Sequence, residues 1–211
     1  DAVGIKQAGW ISFSEYEYRK NPEAYINSAI EKLSLPIFVK PANAGSSVGI
    51  SKAADAEELK NGIEIAFKED KKVVLEEFIE GNEVECAVLG NENPVAAEVG
   101  EVLAAAEFYD FDAKYNNPSQ TVIPAQLSDE KREEIKNQAI KAYSAMGCEG
   151  MSRVDFFVTK DDERILLNEI NTIPGQTAIS MYPKLFEAVG VSYKELIDRL
   201  IQLALERGGR I

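Results

Sequence analysis

The segment RILLNEIN, residues 164–171, ends an apolar run with two side chains that could bind a metal ion. Glu169 and Asn171 are two positions apart, and because strand side chains alternate between the faces of a sheet, both lie on one face. A carboxylate and an amide at the end of an apolar strand offer oxygen ligands on a rigid support. The elements around this strand decide which other residues join them.

A hairpin would bring a second carboxylate to the same face. The preceding apolar segment SRVDFFV is joined to RILLNEIN by the polar connection 160–163. A turn there pairs residues whose numbers sum to about 324, so Asp155 is predicted to face Glu169 and Arg153 to face Asn171. Two carboxylates directly opposite each other repel unless they share a proton or a cation.

Asp155, Glu169 and Asn171 form a donor set that suits Mg²⁺, which prefers oxygen ligands and keeps positions for water and phosphate. The alternative interpretation is a solvent-facing strand without a metal, in which acids alternate with apolar residues. The spacing alone leaves both interpretations open.

A second group of residues could bind phosphate. Lys40 ends the short apolar strand IFV and precedes the glycine–serine loop ANAGSSVG, residues 42–49. The lysine can reach a phosphate as a point charge, and the loop offers backbone N–H groups and the hydroxyls of Ser46 and Ser47 to anionic oxygens. No Gly-Lys-Ser/Thr follows, so this is not a Walker A loop, and an ordinary turn is the alternative.

Further polar residues could contact the rest of a nucleotide. Glu76 and Glu83 flank a possible hinge, and carboxylates accept hydrogen bonds from a diol or an amine. Surface acids are the alternative for this pair. The motif FDAKY places Lys114 and Tyr115 in a long irregular stretch, 103–125, and loops of that length are usually functional or disordered. Simple packing is the alternative for Tyr115.

The composition excludes several classes of site. The chain has no histidine, which removes Ser-His-Asp and Cys-His triads and histidine metal sites. A net charge of −13 argues against sequence-independent binding to nucleic acid or anionic lipid, and no apolar run reaches membrane-spanning length. Cys86 and Cys148 stand in apolar contexts and are predicted to be buried thiols, as in a reducing compartment. The chain starts at Asp1 without Met, so we expect an N-terminal portion to precede it.

Apolar periodicity predicts an α+β fold with antiparallel strands in two lobes, residues 1–80 and 81–211. Asn21 before a proline is typical of a helix start, and Ser128 begins another helix that Gly147 stops. The predicted strands are 36–41, 72–79, 84–90, 94–102, 152–158 and 164–171, with GNEV at 81–84 expected to break the pattern.

Taken in order, these pieces resemble the ATP-grasp ligases, and within them the D-alanine–D-alanine ligase family. The similarity spans nearly all of the chain and lies in motifs whose shared order is far more specific than any one of them. The motifs are FVKPANAGSSVGISK (38–52), VLEEFIEGNEVECAVLG (74–90), FYDFDAKY (108–115), SRVDFF (152–157) and NEINTIPGQTAISMYP (168–183). This resemblance favours the metal interpretation of the paired acids.

In that family two lobes grip ATP between antiparallel sheets, and the resemblance assigns roles to the matching residues. ATP binding falls to Lys40 and Lys114 at the phosphates, to Glu76 and the backbone of Glu77, Phe78 and Ile79 at adenine, and to Glu83 at ribose. The metal ligands would be Asp155, Glu169 and Asn171. Arg153 and the backbone of Gly175 would stabilise the transferring phosphate and the oxyanion, Ser180 and Met181 would bind the second amino acid, and Ser46 and Tyr115 would link the closing loops.

The resemblance also implies a reaction. The γ-phosphate of ATP passes to the carboxylate of one D-alanine, and the amine of a second D-alanine attacks the acyl-phosphate. This implies Mg²⁺ or Mn²⁺, with two ions, and a cytoplasmic role in peptidoglycan synthesis without a nucleic-acid or membrane partner. The full-length protein would be a homodimer.

Some family features are not evident in this chain. The family has an N-terminal lobe with a glutamate near the first D-alanine, and a lysine at the start of the central lobe. Gln176 stands where an aromatic residue is expected. Tyr115 in DAKY resembles the peptide-forming members, whereas depsipeptide-forming members are expected to carry a histidine nearby.

Other functions remain open at this point. A D-alanine–D-serine ligase would differ near the second substrate. A nucleotide-binding module would bind Mg-ATP without turnover. Another ATP-grasp carboxylate–amine ligase is disfavoured by GSSVG and DAKY occurring together.

Overall fold

The computed structural model describes residues 3–44, 48–103 and 120–208, which form two compact units. The described part of one unit is 8–44 and 48–80, and that of the other is 3–7, 81–103 and 120–208. The strands are β1 (Trp10–Ser14), β2 (Ile37–Pro41), β3 (Ser51–Ala53), β4 (Lys72–Glu77), β5 (Gly81–Gly90), β6 (Val95–Leu103), β7 (Gln120–Val122), β8 (Gly150–Thr159) and β9 (Ile165–Asn171). The helices are α1 (Glu15–Lys20), α2 (Pro22–Leu33), α3 (Ala56–Glu69), α4 (Asp129–Ala145), α5 (Met181–Ala188) and α6 (Tyr193–Gly208).

The unit of residues 8–80 is built on a four-stranded antiparallel sheet in the order β1-β4-β2-β3. Its apolar positions alternate, so one face packs against α2 and α3 while the other carries polar and aromatic side chains. The buried face is formed by Phe13, Ile37, Val39, Val73 and Leu75 from the strands and by Ile26, Ala29, Leu59 and Ile63 from the helices.

The other unit is built on a five-stranded antiparallel sheet in the order β7-β6-β5-β8-β9. Helix α4 packs on one face, over a core that includes Val84, Cys86 and Val154. Helices α5 and α6 cover part of the opposite face, where Ala87 and Leu89 are buried. The two sheets together with their helices confirm the predicted α+β class.

Several helix ends form where the sequence predicts them. The Asn21 side chain accepts a hydrogen bond from the N–H of Ala24 and caps α2, whose first residue is a proline. The Ser128 hydroxyl caps α4 by accepting from the N–H of Lys131 at 3.2 Å. Gly147 follows α4 with φ +64°, a conformation that favours glycine and ends the helix.

The segment 81–84 differs from the prediction, because it forms the first part of β5 instead of breaking the pattern. Gly81 pairs with Thr159, and a Cβ on Gly81 would lie 2.5 Å from the carbonyl oxygen of Val158. Sheet pairing along the whole of β8 therefore outweighs the low strand propensity of glycine and asparagine. In the stretch predicted to be irregular, β7 forms at Gln120–Val122, while 104–119 lie outside the described residues.

The first described residues pack with the second unit. Ile5 joins the core beneath α4, and the carbonyl of Lys6 accepts a hydrogen bond from the N–H of Leu167 at 2.8 Å. Within residues 3–44, 48–103 and 120–208, no helix has both the length and the apolar character needed to cross a membrane.

Candidate metal and phosphate site on the five-stranded sheet

The hairpin formed by β8 and β9 has the predicted register at its polar end. Asp155 pairs with Glu169, and Arg153 pairs with Asn171. The register shifts by one residue between Asp155 and Phe156, since Phe156 pairs with Leu167. This β-bulge carries Glu169 and Asn171 to the face shared with Arg153 and Asp155.

Arg153 and Asp155 form a two-point ion pair on this face. The Arg153 Nε donates to Asp155 Oδ1 at 2.8 Å, and Nη2 donates to Oδ2 at 2.7 Å. The Asp155 side chain is 1% exposed, whereas that of Glu169 is exposed and that of Asn171 is half-buried. A paired guanidinium and carboxylate of this kind is stronger and more directional than a single-point contact.

Glu85 joins this cluster from the neighbouring strand β5. It pairs with Asp155 in the register, and its Oε2 lies 3.2 Å from the Arg153 Nε. Three directly paired positions across β5, β8 and β9 therefore carry carboxylates, namely Glu85, Asp155 and Glu169. Glu85 could not be predicted from the sequence, because the pairing of β5 with β8 joins segments about 70 residues apart and has no local signal.

The acids keep Arg153 charged despite its burial. Burial alone lowers the pKa of Arg153, but the hydrogen bonds to Asp155 and the charges of Asp155, Glu85 and Glu169 outweigh burial and raise the pKa above its ordinary value. Arg153 is therefore a fixed cation on this face.

The chemistry of Asp155, Glu169 and Asn171 fits a hard divalent cation, because two carboxylates and an amide at paired strand positions supply oxygen ligands. In the part of the chain that the structure describes, no three acidic, cysteine or histidine side chains are grouped closely enough to bind a metal by themselves. Both Asp155 oxygens face Arg153, and the Asn171 Oδ1 accepts from the N–H of Ile173 at 3.2 Å. The described side chains thus leave coordination positions for further oxygen ligands beside the Asn171 amide.

The loop after β9 carries the residues predicted for the second substrate. The Ser180 Oγ accepts from the N–H of Thr177 at 3.0 Å, and a Cβ on Gly175 would lie 2.7 Å from this oxygen. A side chain at position 175 would therefore displace the Ser180 hydroxyl from its contact with Thr177. Met181 begins α5, and its side chain is buried in the core beside Gly100.

Gln176, the residue found where an aromatic one is expected, lines a cavity of about 340 Å³. Its side-chain Nε2 lies 3.5 Å from the sulfur of Met151, and its backbone carbonyl accepts from the Tyr193 hydroxyl at 3.0 Å. Gln176 thus ties the loop to β8 and α6 through a thioether and a hydroxyl instead of an aromatic ring. Glu83, predicted at the ribose, is half-buried on β5 opposite Phe157.

A second cluster lies on the open face of the four-stranded sheet. Lys40 Nζ and Glu76 Oε2 are 2.5 Å apart, and both side chains are about three-quarters buried. The Glu77 carboxylate accepts a hydrogen bond from the N–H of Gly9 at 2.7 Å, which stabilises the end of β4 against the segment before β1. Because β4 ends at Glu77, the backbone groups of Phe78 and Ile79 lie beyond the sheet pairing.

Lys52 is a further cation on this face, and it was not among the residues predicted from the sequence. Lys52 pairs with Phe38 across β2 and β3, and its Nζ lies 4.1 Å from the centre of the Phe78 ring. The Phe38 and Phe78 rings are 6.0 Å apart. A lysine over an aromatic ring is a cation–π contact. β3 is only three residues long, so its alternating pattern is too short to predict the face of the sheet on which Lys52 lies.

Three predicted residues, Ser46, Lys114 and Tyr115, lie outside the described residues. The structure therefore groups the remaining ones into two sets. One set is Lys40, Glu76, Glu77, Phe78 and Ile79 in the unit of residues 8–80, and the other is Glu83, Arg153, Asp155, Glu169, Asn171, Gly175, Ser180 and Met181 in the second unit.

Two solved structures that resemble this chain are ligases of D-amino acids. The VanG D-Ala:D-Ser ligase from Enterococcus faecalis superposes with a TM-score of 0.84 at 38% identity, over 96% of this chain and 58% of that one. The D-alanine-D-alanine ligase from Coxiella burnetii gives the same TM-score at 35% identity, over 99% of this chain and 55% of its own. The fold is therefore the ATP-grasp fold of these enzymes.

Sequence comparisons agree with the structural ones. The chain is 52% identical over 208 residues to the D-alanine–D-alanine ligase of Acetivibrio thermocellus, covering 98% of this chain and 55% of that protein. It is 53% identical over 202 residues to D-alanine–D-alanine ligase B of Clostridium tetani, covering 95% and 56%. The chain thus spans little more than half the length of these relatives. The family model described as D-ala D-ala ligase C-terminus matches residues 1–202, and the chain belongs to that family.

Proposed function

We propose that the natural protein containing this sequence joins two D-alanines into D-alanyl-D-alanine at the expense of ATP, for peptidoglycan synthesis. The observation that carries the proposal is the pairing of Asp155 with Glu169 and of Arg153 with Asn171 on one sheet face. A fixed cation beside an open set of oxygen ligands suits phosphoryl transfer, which depends on positioning and charge neutralisation more than on a nucleophilic side chain. The absence of histidine from the chain is compatible with this chemistry.

Lys40 and Glu76 would begin the reaction by binding ATP. Lys40 is a point charge for the phosphates, and Glu76 accepts from the exocyclic amine of adenine, together with the backbone after it. The ion pair between them fixes both side chains on the open face of their sheet. Glu83 would accept hydrogen bonds from the ribose. Lys114 would add a second cation at the phosphates.

Asp155, Glu169 and Asn171 would hold Mg²⁺ or Mn²⁺, and two ions suit a site with two carboxylates and the ATP phosphates. The metal would supply positive charge to the phosphate oxygens. Arg153 lies beside these ligands and stays cationic, so it would stabilise the charge that develops on the transferring phosphoryl group.

The second half of the reaction would use the loop after β9. The carboxylate of the first D-alanine takes the γ-phosphoryl group of ATP, and ADP leaves. The amine of the second D-alanine then attacks the carbonyl carbon of the acyl-phosphate, and inorganic phosphate and a proton are released. Ser180 would bind the carboxylate of the second D-alanine through its hydroxyl. The N–H of Gly175 and the Arg153 guanidinium would donate to the oxyanion. Ser46 and Tyr115 would link the loops that exclude water from the acyl-phosphate.

The setting of the whole protein is part of the proposal. ATP and D-alanine as substrates imply the cytoplasm, and neither nucleic acid nor a membrane is needed as a partner. A homodimer is proposed for the whole protein by its similarity to the family. Because the relatives are almost twice as long as this chain, these statements concern the natural protein and not the isolated 211 residues.

Phosphate release from Mg-ATP by the natural protein tests the proposal, with D-alanine and D-serine compared and the products identified by mass. We expect phosphate release with D-alanine and the mass of D-alanyl-D-alanine. A preference for D-serine as the second substrate would instead support the D-alanine–D-serine activity named for the VanG relative. Mg-ATP binding by calorimetry without any phosphate release would leave a nucleotide-binding module.

A further inference from the structure

Glu85 is a buried carboxylate for which the reaction proposed above has no role. Its side chain is 9% exposed, and it lies on β5 at the boundary between two parts of one sheet face. On one side, Ala87 and Leu89 are covered by α5 and α6. Across from Glu85 on β8 lie Asp155, its register partner, and Arg153, the register partner of Ala87. Burying a carboxylate costs several kcal/mol unless a cation compensates it, so a charge at this position needs a partner.

The Arg153 guanidinium provides that compensation. The Nε of Arg153 lies 3.2 Å from Glu85 Oε2 and 2.8 Å from Asp155 Oδ1, so the arginine bridges two acids on adjacent strands. The bridge crosses a directly paired position, since Glu85 and Asp155 are partners in the β5–β8 register. Strands are more rigid supports than loops, so the position of Glu85 relative to Arg153 is well defined.

The two acids differ in what else they would do. Asp155 is one of the ligands proposed for a divalent cation, and a cation on its oxygens competes with Arg153 for the same lone pairs. Glu85 lies on the far side of Arg153 from Glu169 in strand order, since β8 separates β5 from β9. Glu85 can therefore keep its contact with the arginine while Asp155 is engaged by the metal.

The charge balance of the cluster supports these different roles for Glu85 and Asp155. Glu85, Asp155 and Glu169 face one guanidinium, so the cluster retains two negative charges when all groups are ionised. A divalent cation neutralises them. With a neutral residue at position 85, metal binding would instead leave an excess positive charge next to Arg153, which opposes both the metal and a fixed arginine.

We propose that Glu85 is a positioning residue, which holds the Arg153 guanidinium in place when Asp155 binds a divalent cation. The proposal rests on the function proposed above, and it assigns Glu85 an effect on the arginine and not a contact with substrate.

The test compares Glu85→Gln with Glu101→Gln in the natural protein. Glu101 is a matched control, because it is also a buried acid, 5% exposed, on the same sheet. It accepts from the N–H of Gln126 at 3.0 Å and pairs with Val84, whose side chain lies in the core under α4. We expect Glu85→Gln to lower kcat about 10–100-fold while changing the KM for ATP less than about threefold. Glu101→Gln should leave kcat unchanged, even where both variants lower the unfolding temperature.

A second readout does not depend on turnover. The ¹⁵Nε–H signal of Arg153, assigned with Arg153→Lys, reports how well the guanidinium is held. We expect added Mg²⁺ to leave its exchange with water slow in the wild type and in Glu101→Gln. In Glu85→Gln the same addition should speed this exchange about tenfold or more. Glu85→Asp keeps the charge and should give intermediate values in both measurements.

The outcomes separate this proposal from the proposed function. If the wild type releases phosphate and Glu85→Gln matches Glu101→Gln in kcat and in Arg153 exchange, the role of Glu85 is wrong while the ligase function stands. If the wild type releases no phosphate, the ligase function fails and the Mg²⁺-dependent exchange still decides the role of Glu85. If Glu85→Gln does not fold, Glu85→Asp decides, and wild-type values for it overturn the proposal.

Discussion

Asp155 illustrates how one side chain can serve structure and chemistry together. Its carboxylate is 1% exposed and receives two hydrogen bonds from Arg153, so it balances a buried cation. The same oxygens are proposed metal ligands. Glu169, which pairs with Asp155, is exposed, so its carboxylate does not balance a buried charge in the same way. Substitutions at the two positions should therefore affect activity alike and stability differently.

Glu169→Gln and Asp155→Asn are each expected to lower Mg²⁺-dependent phosphate release by about 10²–10³-fold, because each removes one charged ligand while keeping side-chain size. Glu169→Gln should change the free energy of unfolding by less than about 0.5 kcal/mol. Asp155→Asn should lower it by about 1–3 kcal/mol, since charged hydrogen bonds to Arg153 are lost. Enzyme assays and urea unfolding measure both effects, and unchanged turnover in either variant would refute the metal assignment.

Lys52 is expected to contribute to nucleotide binding, because it lies on the same sheet face as Lys40 and over the Phe78 ring. Lys52→Met keeps the length of the side chain and removes its charge. We expect the Kd for ATP, measured by calorimetry, to rise about three- to tenfold, as for the loss of one partly exposed cation contact. Lys60→Met on α3, an exposed lysine near Glu23, is the matched control and should leave the Kd unchanged.

At the scale of elements, the β8–β9 hairpin positions the site, and its turn is held by side chains. Asp162 Oδ1 accepts from the Thr159 hydroxyl at 2.6 Å and from the Arg164 Nε at 2.9 Å. These contacts, first the one from Thr159 and then the one from Arg164, hold the pKa of Asp162 well below its ordinary value. The turn is therefore stabilised by an ionised Asp162.

This pKa shift predicts a pH-dependent effect of Asp162→Asn. A lowered pKa in the folded state means that the ionised carboxylate stabilises the fold at every pH above its unfolded value, about 3.9. That contribution is lost as the pH falls from about 4 toward the lower folded value. We expect the urea midpoint of the variant to lie below that of the wild type at pH 7, and the difference to shrink below about pH 4.

Asp198→Asn, at an exposed position of α6, is the control for a general effect of removing one negative charge. Its midpoint should follow that of the wild type across the same pH range. A difference between wild type and Asp162→Asn that stays constant from pH 7 to pH 2 would show that the ionised form of Asp162 does not stabilise the turn.

The same hairpin shows how far the sequence could predict the site. The sum of 324 correctly pairs Asp155 with Glu169, because the polar connection at 160–163 marks the turn. On the turn side the structure follows a sum of 323, as in Val158 with Ile165. The bulge between the two registers depends on local twist, for which the sequence has no marker. Glu85 was missed for a related reason, since strand order is a property of the assembled sheet.

At the scale of the whole molecule, the chain has separate cores in its two units. One core surrounds Leu75, and another surrounds Ile135 and Cys86. Apolar periodicity is a local signal, and it predicts helices that each carry an apolar stripe. It could not predict which stripes share a core, because that depends on contacts between distant segments.

Separate cores predict separate responses to core substitutions in the 211-residue chain. Leu75→Ala and Ile135→Ala each remove a fully buried side chain and should cost about 2–5 kcal/mol. Trp10, the chain's single tryptophan, reports on the unit of residues 8–80 through its fluorescence. Cys86 reports on the other unit through thiol labelling, because burial raises the pKa of its thiol to about 12 and blocks reaction in the folded state.

We expect Leu75→Ala to lower the denaturant midpoint of the Trp10 signal more than that of Cys86 labelling. Ile135→Ala should do the reverse. Equal shifts of both probes in both variants would mean that the two units unfold as one cooperative body.

The β-bulge near Asn168 has a consequence for how the family can vary. If the register of the turn continued to the end of the hairpin, Asn168 would face Asp155 and Glu169 would lie on the opposite face. The one-residue shift therefore lies between the turn and the metal ligands. The bulge therefore separates the site from changes in the five-residue connection between β8 and β9, 160–164. Inserting or deleting one residue between Leu167 and Glu169 would instead move the ligands to the opposite face of the sheet. Insertions and deletions in homologues should therefore occur on the turn side of Asn168 and be rare on the side of the metal ligands.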